Sequence, residues 1–261
     1  MLVLLPPSEG KTVPIDGPTL DFAALSLPAL NPARRKVLSS LVSLCRSTPT
    51  DALDVLGLSA GQTREVQLNK ALRKAPTAPA WQVYTGVLFA ALDMGGADPV
   101  TQARLADWVL VWSGLWGAVR LTDPIPAYRL SGAVTLPGPG RLAAFWREPL
   151  RRALAGPARD SLVVDLRSGT YAASWNGPPG RTAAIRVIHE QGDRRTVASH
   201  FNKSTKGRLL RSLVESEATP ESVDELVDAL RAVGFRVEPV AATLGGRGNK
   251  PRTLDVVVDS L

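Results

Sequence analysis

The sequence is poor in cysteine and histidine, with one cysteine and two histidines among 261 residues. A single cysteine excludes a disulfide within the chain and is typical of proteins of the reducing cytoplasm, which is where we expect this one. Neither His189 nor His200 lies in a CxxC or HExxH context, so the usual zinc-ligand patterns are missing. Cys45 lies in an apolar helical pattern, which favours a place in the core over a role as nucleophile. We therefore expect neither a metal nor another cofactor.

Long apolar runs are also missing. No stretch of 18 or more apolar residues occurs, which predicts no membrane span and no membrane partner. The first residues, MLVLLPPSEGK, lack the basic start and the long apolar run of a signal peptide. They predict instead a buried first strand, residues 2–5, ended by Pro6 and Pro7.

Familiar catalytic motifs are not found either. Gly10-Lys11-Thr12 resembles the end of a P-loop, but Leu5 stands where that motif needs its first glycine. No GxSxG elbow is present, and no GxGxxG follows a strand. The sequence thus argues against a Walker-type ATP site, an α/β-hydrolase nucleophile and a dinucleotide fold. Ser8 and Lys11 can still face a cleft from a strand end, with the lysine as anion ligand or general base.

Positive charge is abundant and uneven. The formal net charge is +7, and residues 181–211 carry eight basic residues against two acidic ones, a difference of +6. Such clustering favours a polyanion as partner, with nucleic acid first. An arginine-rich composition is the alternative explanation. The eight basic residues are Arg181, Arg186, Arg194, Arg195, Lys203, Lys206, Arg208 and Arg211.

The order of predicted elements is mixed. Periodicity and capping signals predict helices over about 31–46, 59–74, 81–92, 98–112, 141–155, 203–215 and 219–233. Among these signals are a capping box of Ser59 with Gln62 and an Asp98 cap followed by Pro99. Strands are predicted over 2–5, 162–166, 185–188, 196–198, 235–237 and 254–258, and a glycine-rich connection over 245–248. This order favours a mixed α/β (α+β) fold over a sandwich or a bundle.

Two segments carry site-like signals. Residues 112–130 combine two tryptophans, two glycines, two arginines, an aspartate and a tyrosine, more polar groups than a plain core strand needs. A functional site and a structural turn both stay open there. Residues 55–59, with Gly57 and Ser59, resemble the hairpin of a helix–hairpin–helix unit, whose backbone N–H groups can meet a phosphate. An ordinary helix–helix turn is the alternative.

Further candidates are polar side chains near predicted element ends, and their chemistry suits phosphate recognition. Arginine offers a planar fork, lysine a point charge, and serine and tyrosine offer hydroxyl donors. An ion pair with Arg167 is the alternative for Asp165. These residues are Ser8, Lys11, Tyr84, Ser113, Arg120, Asp123, Tyr128, Arg129, Asp165, Lys203, Lys206 and Arg211.

A set of landmarks spans nearly the whole chain. In chain order these are LLPPSEGKT at 4–12, VYTG at 83–86, SGLWG at 113–117, Arg120, Asp123, YRL at 128–130, FW at 145–146, VDL at 164–166, Tyr171 and the basic segment 203–211. Together they resemble the YaaA family of peroxide stress proteins. Two phrases differ: KSTKG at 203–207 replaces Lys-Lys-Ala-Arg-Gly, and PPSEGK at 6–11 replaces Ser-Pro-Ala-Lys. Positive charge is kept in both, but an arginine fork at position 206 is lost.

The resemblance implies a single domain over residues 1–261, with a mixed sheet, flanking helices and a positively charged cleft. It also implies a cytoplasmic bacterial protein that limits iron-dependent oxidative damage and binds duplex or distorted DNA, in part through a helix–hairpin–helix. We therefore expect largely sequence-independent DNA contacts from these residues: Ser8, Lys11, Gly57, Ser59, Tyr84, Ser113, Arg120, Arg129, Lys203, Lys206, Arg208 and Arg211.

The alternative hypothesis is an enzyme that acts on a nucleotide or on damaged nucleic acid. The polar groups are more varied than phosphate tethering requires, and Lys11, Asp123 or Tyr128 would then act as acid or base. Direct sequestration of iron is disfavoured, because the sequence offers no evident set of ligands.

Overall fold

A computed structural model of the chain describes residues 1–192, 194–196, 199–240 and 251–259. Within these ranges, the side chains of Pro49, of residues 199–201 and of Asp259 are outside the description. The predicted glycine-rich connection at 245–248, residues 197–198 of a predicted strand and the His200 side chain therefore lie outside the described part.

The predicted mixed α/β fold is confirmed. A large sheet has the strand order β11-β12-β9-β8-β1-β3-β4, with β10 paired to β9, and β2-β5 and β6-β7 form two small sheets. The strands are β1 Leu2–Leu5, β2 Ala78–Pro79, β3 Val109–Ser113, β4 Gly117–Arg120, β5 Pro124–Ile125, β6 Thr135–Leu136, β7 Gly140–Arg141, β8 Val163–Asp165, β9 Thr182–Gln191, β10 Arg194–Thr196, β11 Arg236–Pro239 and β12 Arg252–Asp259.

Helices connect and cover the strands. None of them, within the described ranges, combines the length and hydropathy that crossing a bilayer requires. The α-helices are α1 Asn31–Arg46, α2 Pro49–Leu56, α3 Thr63–Ala71, α4 Ala80–Val83, α5 Val87–Leu92, α6 Pro99–Trp108, α7 Leu142–Phe145, α8 Arg147–Leu154, α9 Gly169–Ala172, α10 Ser199–Glu215 and α11 Val223–Ala232. Short 3-10 helices span Phe22–Ala24, Pro28–Leu30, Ala60–Gln62 and Met94–Gly96.

The centre of the sheet is parallel and dry. Strand β1 lies between β8 and β3 and runs parallel to both, with Val3 opposite Val164 and Val109. Every residue of β1 and of β3 is buried. Continuous apolar runs of this kind are expected where both faces of a parallel sheet are covered. The predicted first strand is therefore confirmed as the middle of the core.

One predicted helix ends early at a strand, and two others are interrupted. The helix predicted over 98–112 ends at Trp108, because residues 109–113 pair with β1 as a strand. The helix predicted over 81–92 is two helices, since Gly86 has a φ of +101° and Tyr84 bridges to Lys11. The helix predicted over 141–155 is likewise divided, into α7 and α8.

Cys45 lies on α1 and is buried in the core of the protein, as its pattern predicts. Burial raises the pKa of its thiol to about 11, against a smaller opposing effect of a hydrogen bond with Asn69. A thiol in this state is protonated at neutral pH and is a poor nucleophile.

The topology places a crevice at one edge of the sheet. After β1 the chain crosses to β3 on one side, and it returns later to β8 on the other side of β1. In open sheets of this type, ligands bind outside the carboxyl ends of the strands where the connections diverge. The loops that follow β1 and β8, residues 6–11 and 166–171, meet at that point.

Candidate functional site

A cavity of about 600 Å³ opens at this edge and is called the cleft below. Its walls are the loops after β1 and β8, residues 185–186 of β9, and residues 202, 203 and 206 of α10. A side cavity of about 240 Å³ adjoins it, formed by residues 6–10, residues 85–89 and Lys203. Lys203 lines both cavities, so the two openings meet at this lysine.

The loop after β1 is held in place by backbone pairing. Pro6 and Pro7 end the strand, and the Thr12 N–H then donates to the Val83 carbonyl at 2.9 Å. Gly86 lets the two segments approach, because a Cβ there would lie 3.1 Å from Ser8 Oγ. Its φ of +101° also favours glycine. The VYTG phrase thus has a structural reason: it shapes the wall of the side cavity.

Lys11 extends beneath this loop. Its Nζ donates to the Ser8 carbonyl at 2.7 Å and lies 4.3 Å from the Tyr128 ring centroid and 5.5 Å from that of Tyr84. Burial and, to a smaller extent, the nearby Arg129 charge lower the pKa of Lys11 to about 7, against the opposing charges of Glu65 and Glu9. The amine is therefore present in both protonation states near neutral pH.

This titration predicts a pH dependence of stability. An unfolded lysine keeps a pKa near 10.5, so between pH 7 and 10.5 the unfolded chain binds more protons and the free energy of unfolding rises with pH. The rise from this group is at most about 1.4 kcal/mol per pH unit. In urea unfolding from pH 7 to 9, wild type should therefore gain about 2 kcal/mol relative to Lys11→Met. A Lys203→Met variant, at an exposed position, should run parallel to wild type, and a parallel Lys11→Met curve would contradict a buried amine.

Ser113, Tyr128 and Tyr84 form a buried chain of hydroxyls. Ser113 Oγ accepts the backbone N–H groups of Leu115 at 3.1 Å and Trp116 at 2.9 Å. Both lone pairs are then used, so the serine proton is donated to Tyr128 Oη at 2.6 Å. Tyr128 in turn donates to Tyr84 Oη at 2.9 Å. Burial raises the pKa of both tyrosines, so the two rings stay neutral and form a fixed wall for Lys11.

Arg129 lies beside this wall. Its backbone N–H and carbonyl both bond the Asn69 side chain, at 2.9 and 2.7 Å. Its guanidinium pairs with the Glu9 carboxylate at 2.8 Å, and the Glu9 side chain is 72% exposed. Residues 7–9, Lys11, residues 128–131 and Tyr171 surround a shallow recess, which shares its outer rim with the cleft.

The first half of α10 forms the opposite wall. Lys206 Nζ donates to the Leu166 carbonyl at 3.0 Å, and burial lowers its pKa against the opposing charge of Asp165. Lys203 is exposed at the opening. Gly207 lets α10 lie directly on α5, because a Cβ there would overlap the Leu88 carbonyl oxygen.

Asp165 and Arg167 form the ion pair that the sequence left as an alternative. Two hydrogen bonds of 2.9 and 2.6 Å join the guanidinium to the carboxylate. Arg167 also lies 4.2 Å from the Trp112 ring centroid and donates to the Trp175 carbonyl at 2.8 Å. The guanidinium N–H groups of Arg167 are thus used in hydrogen bonds that stabilise the lining of the cleft.

Arg120 and Asp123 lie away from the cleft, which corrects their prediction as parts of one site. Arg120 pairs with Leu110 near the start of β3, at the amino edge of the sheet. The Asp123 carboxylate accepts hydrogen bonds from the Ser26 N–H, the Ser26 hydroxyl and the Arg120 N–H. A buried carboxylate with three donors fixes a turn, so Asp123 is not placed to act as acid or base in the cleft.

The turn at residues 57–59 is also engaged with itself. The Gly57 N–H donates to the Asp54 carbonyl, and the Leu58 N–H donates to the Leu53 carbonyl at 2.9 Å. The Ser59 N–H donates to Gln62 Oε1 at 3.0 Å, which confirms the predicted capping box. Gly57 adopts a φ of +64°. The three N–H groups expected to meet a phosphate are thus already hydrogen-bonded within the turn between α2 and α3.

The basic segment 181–211 is partly neutralised by acids from within it and from later in the chain. Arg186 pairs with Asp255, and Arg195 pairs with Glu190 and Glu238. Arg211 pairs with Glu215 and donates to the carbonyls of Leu92, Asp93 and Gly96, so it closes the end of α5. Arg208 is exposed on α10. The net charge of +6 counted for residues 181–211 is therefore partly neutralised, and its basic side chains lie on different parts of the protein surface.

Of the predicted residues, the structure gathers six around the cleft, side cavity and recess: Ser8, Lys11, Tyr128, Arg129, Lys203 and Lys206. Tyr84 and Ser113 support them from beneath. Glu9 and Asn69 were missed as site residues, because a lone polar residue gives no signal of its partner. Arg186 was named only as part of the basic segment and Tyr171 only as a landmark. In the described part of the chain no group of three or more His, Cys, Asp or Glu is arranged to hold a metal ion.

Comparison with known proteins gives a consistent result. The model of a family described as peroxide stress protein YaaA matches residues 1–241. A UPF0246 protein of Streptomyces coelicolor is 51% identical, over 99% of this chain and 98% of the relative. A UPF0246 protein of Corynebacterium efficiens is 41% identical, over 91% and 95%. An uncharacterised protein of Campylobacter jejuni is 25% identical, over 80% and 83%.

Proposed function

The chain belongs to the YaaA family of peroxide stress proteins, and on that premise we propose that it acts in the peroxide response by binding DNA through phosphate contacts in the cleft. The observation that carries the proposal is the charge of the cleft lining. Among the described residues, Arg167, Arg186, Lys203 and Lys206 face it against the single acid Glu9. The two arginines are paired with aspartates, so the lysines supply the charge for a polyanion. Such a partner places the protein in the bacterial cytoplasm.

The size of the cleft favours distorted DNA. A volume of about 600 Å³ is in the range of sites for small molecules and is too small for a base-paired duplex. A nucleotide drawn out of the helix fits such a space, and the side cavity beyond Lys203 continues the path for its backbone. Extruding a base costs least where the base is damaged or unpaired. We therefore favour distorted over regular duplex DNA as the partner.

The same contacts give a physical route to protection against iron. Lysines that neutralise phosphates release the counterions condensed on DNA. Ferrous ions held at those phosphates are released with them, so hydroxyl radicals form farther from the sugar. This route needs no iron ligand on the protein.

The proposal predicts a change in salt dependence. Replacing Lys203 with alanine and Lys206 with methionine should reduce the slope of log affinity against log salt by roughly 2, since each lost phosphate contact contributes about 0.9. Fluorescence anisotropy with a duplex containing a short unpaired bubble measures this slope. The matched control is the double variant Arg141→Ala and Arg159→Ala, which removes the same charge at exposed positions outside the cleft. Equal slopes for the two double variants would exclude the cleft as the DNA site.

A second candidate function, an enzyme acting on damaged nucleic acid, is favoured by the recess. Phosphate tethering does not require a lysine with a pKa near 7 set against two buried tyrosine rings. Buried lysines of this kind serve as bases or nucleophiles in enzymes. The same cleft would then deliver a nucleotide to Lys11.

A further inference from the structure

We propose that the Lys11 amine forms an imine with the aldehyde of a base-free or oxidised deoxyribose in DNA. This inference rests on the proposed function, because the cleft must first bind the damaged strand. It adds to DNA binding a covalent step, a substrate class and the atom that reacts.

The geometry of the recess carries the inference. Lys11 lines the recess together with Glu9, Arg129, Ser131 and Tyr171. The free volume of the recess is about 10 Å³, so an aldehyde reaches the amine only when the lining opens. Glu9, Ser131 and Tyr171 also line the cleft, so a sugar held in the cleft lies next to the recess. The Glu9–Arg129 ion pair covers part of the recess. A phosphate that replaces the exposed Glu9 carboxylate on Arg129 would open the path to the amine.

The surroundings of the amine suit a nucleophile better than a structural ion pair. Buried lysines are usually paired with a carboxylate, because an unpaired buried charge is costly. Among the described residues, the neighbours found for this ammonium are the carbonyls of Ser8 and Glu9 and two aromatic rings, and no carboxylate within 4.0 Å. Burial and Arg129 both favour the neutral amine, the form with a free electron pair.

The step balances without another reactant. The nitrogen lone pair attacks the aldehyde carbon and forms a carbon–nitrogen bond. The carbonyl oxygen leaves as water with the two amine protons, and a carbon–nitrogen double bond remains. An aldehyde is the substrate because an amine forms an imine only with a carbonyl, and a deoxyribose that has lost its base opens to an aldehyde. Its flanking phosphates are the groups that Arg129 and Lys203 would hold.

Reductive trapping tests the inference. The full-length protein is incubated with a duplex containing one abasic site and sodium cyanoborohydride, and the covalent complex is quantified by denaturing electrophoresis. We expect a complex that peptide mass mapping locates at Lys11, with a rate that rises through a midpoint near pH 7. At pH 7 about half of such an amine is neutral, against about one in 3,000 for an exposed lysine.

Two charge-preserving variants separate Lys11 from other amines. Lys11→Arg should slow trapping on the order of tenfold or more, while Lys36→Arg, at an exposed position that lines neither the cleft nor the recess, should trap like wild type. A complex that maps to another lysine, or Lys11→Arg trapping at the wild-type rate, would overturn the inference. Mapping on wild type decides the matter even where the Lys11→Arg variant fails to fold.

Binding and chemistry are measured apart. Anisotropy with the same duplex and no reductant reports DNA binding alone. Binding without a trapped complex would overturn the imine and leave the DNA-binding function standing. If the duplex does not bind, the DNA-binding function fails and 2-deoxyribose 5-phosphate becomes the probe. A complex of that sugar at Lys11 would still support the reactive amine, and no complex would reject it.

Discussion

Replacing Gly207 with alanine is expected to destabilise the protein by about 2 kcal/mol, although alanine is the better helix former by nearly 1 kcal/mol. The reason is the contact between α10 and α5, where a Cβ at position 207 would overlap the Leu88 carbonyl oxygen and lie 2.9 Å from Ala91 Cβ. The helices must then separate, and Lys203 and Lys206 move with α10. Urea unfolding measures the loss of stability, and DNA anisotropy measures the loss of affinity that the proposed DNA site in the cleft predicts.

Gly61→Ala is the matched control for this substitution. Nothing lies within 4 Å of a Cβ at position 61, and its φ is not positive. We expect a change of unfolding free energy within about 0.5 kcal/mol there. A stabilising Gly207→Ala would mean that helix propensity outweighs the close approach of the two helices, contrary to the packing described above.

Arg34→Met is expected to cost about 3 kcal/mol of unfolding free energy. Arg34 is completely buried, and its guanidinium donates to the carbonyls of Trp116 at 3.0 Å and Ala118 at 2.7 Å. Methionine fills a similar volume but donates to neither carbonyl, while the Trp116 carbonyl keeps its hydrogen bond from the Ala118 N–H at 3.0 Å. Burial also lowers the pKa of Arg34 to about 10, against the opposing charge of Asp123. The hydrogen bonds of Arg34 thus stabilise the fold, although burying its charged guanidinium is unfavourable.

The neighbouring Arg35→Met variant is the control, because Arg35 is exposed and its guanidinium contacts only the Phe22 ring among the described interactions. It should lose less than about 1 kcal/mol. Arg34→Lys should not restore stability, since one ammonium cannot copy the fork. The Arg34 variants should also weaken the turn at residues 114–116, whose N–H groups hold Ser113. Equal losses at positions 34 and 35 would contradict this account.

Local signals in the sequence identified much of the fold. The apolar run of β1, the capping box at Ser59 and the Asp98 cap of α6 depend on residues close in the chain, and all three are confirmed. The predicted end of α6 at residue 112 was wrong, because Val109–Ser113 has a strand partner more than a hundred residues away. The periodicity of a segment carries no information on such a distant partner. Strand pairing in the folded protein therefore overrides the local helical pattern.

The candidate site was harder to predict for the same reason. Lys11, Tyr128 and Arg129 converge as expected because the loop after β1 meets the chain beyond β4 and β5. Arg120 and Asp123 are only a few residues from Tyr128, yet β4 runs antiparallel to β3 and carries them to the opposite edge. Of the acids paired with the basic segment, Glu238 and Asp255 come from strands β11 and β12, which a count over residues 181–211 does not include.

The place of β12 in the sheet bears on how the protein is made. This strand, the last of the twelve to leave the ribosome, lies between β9 and β11, and Asp255 on it holds Arg186 at the cleft. A nascent chain that has not yet released β12 exposes one long edge of β9, which can pair with other chains. Because residues 202, 203 and 206 of α10 also line the cleft, the growing polypeptide cannot complete this cavity before α10 is made, and Arg186 gains its Asp255 partner only when β12 follows.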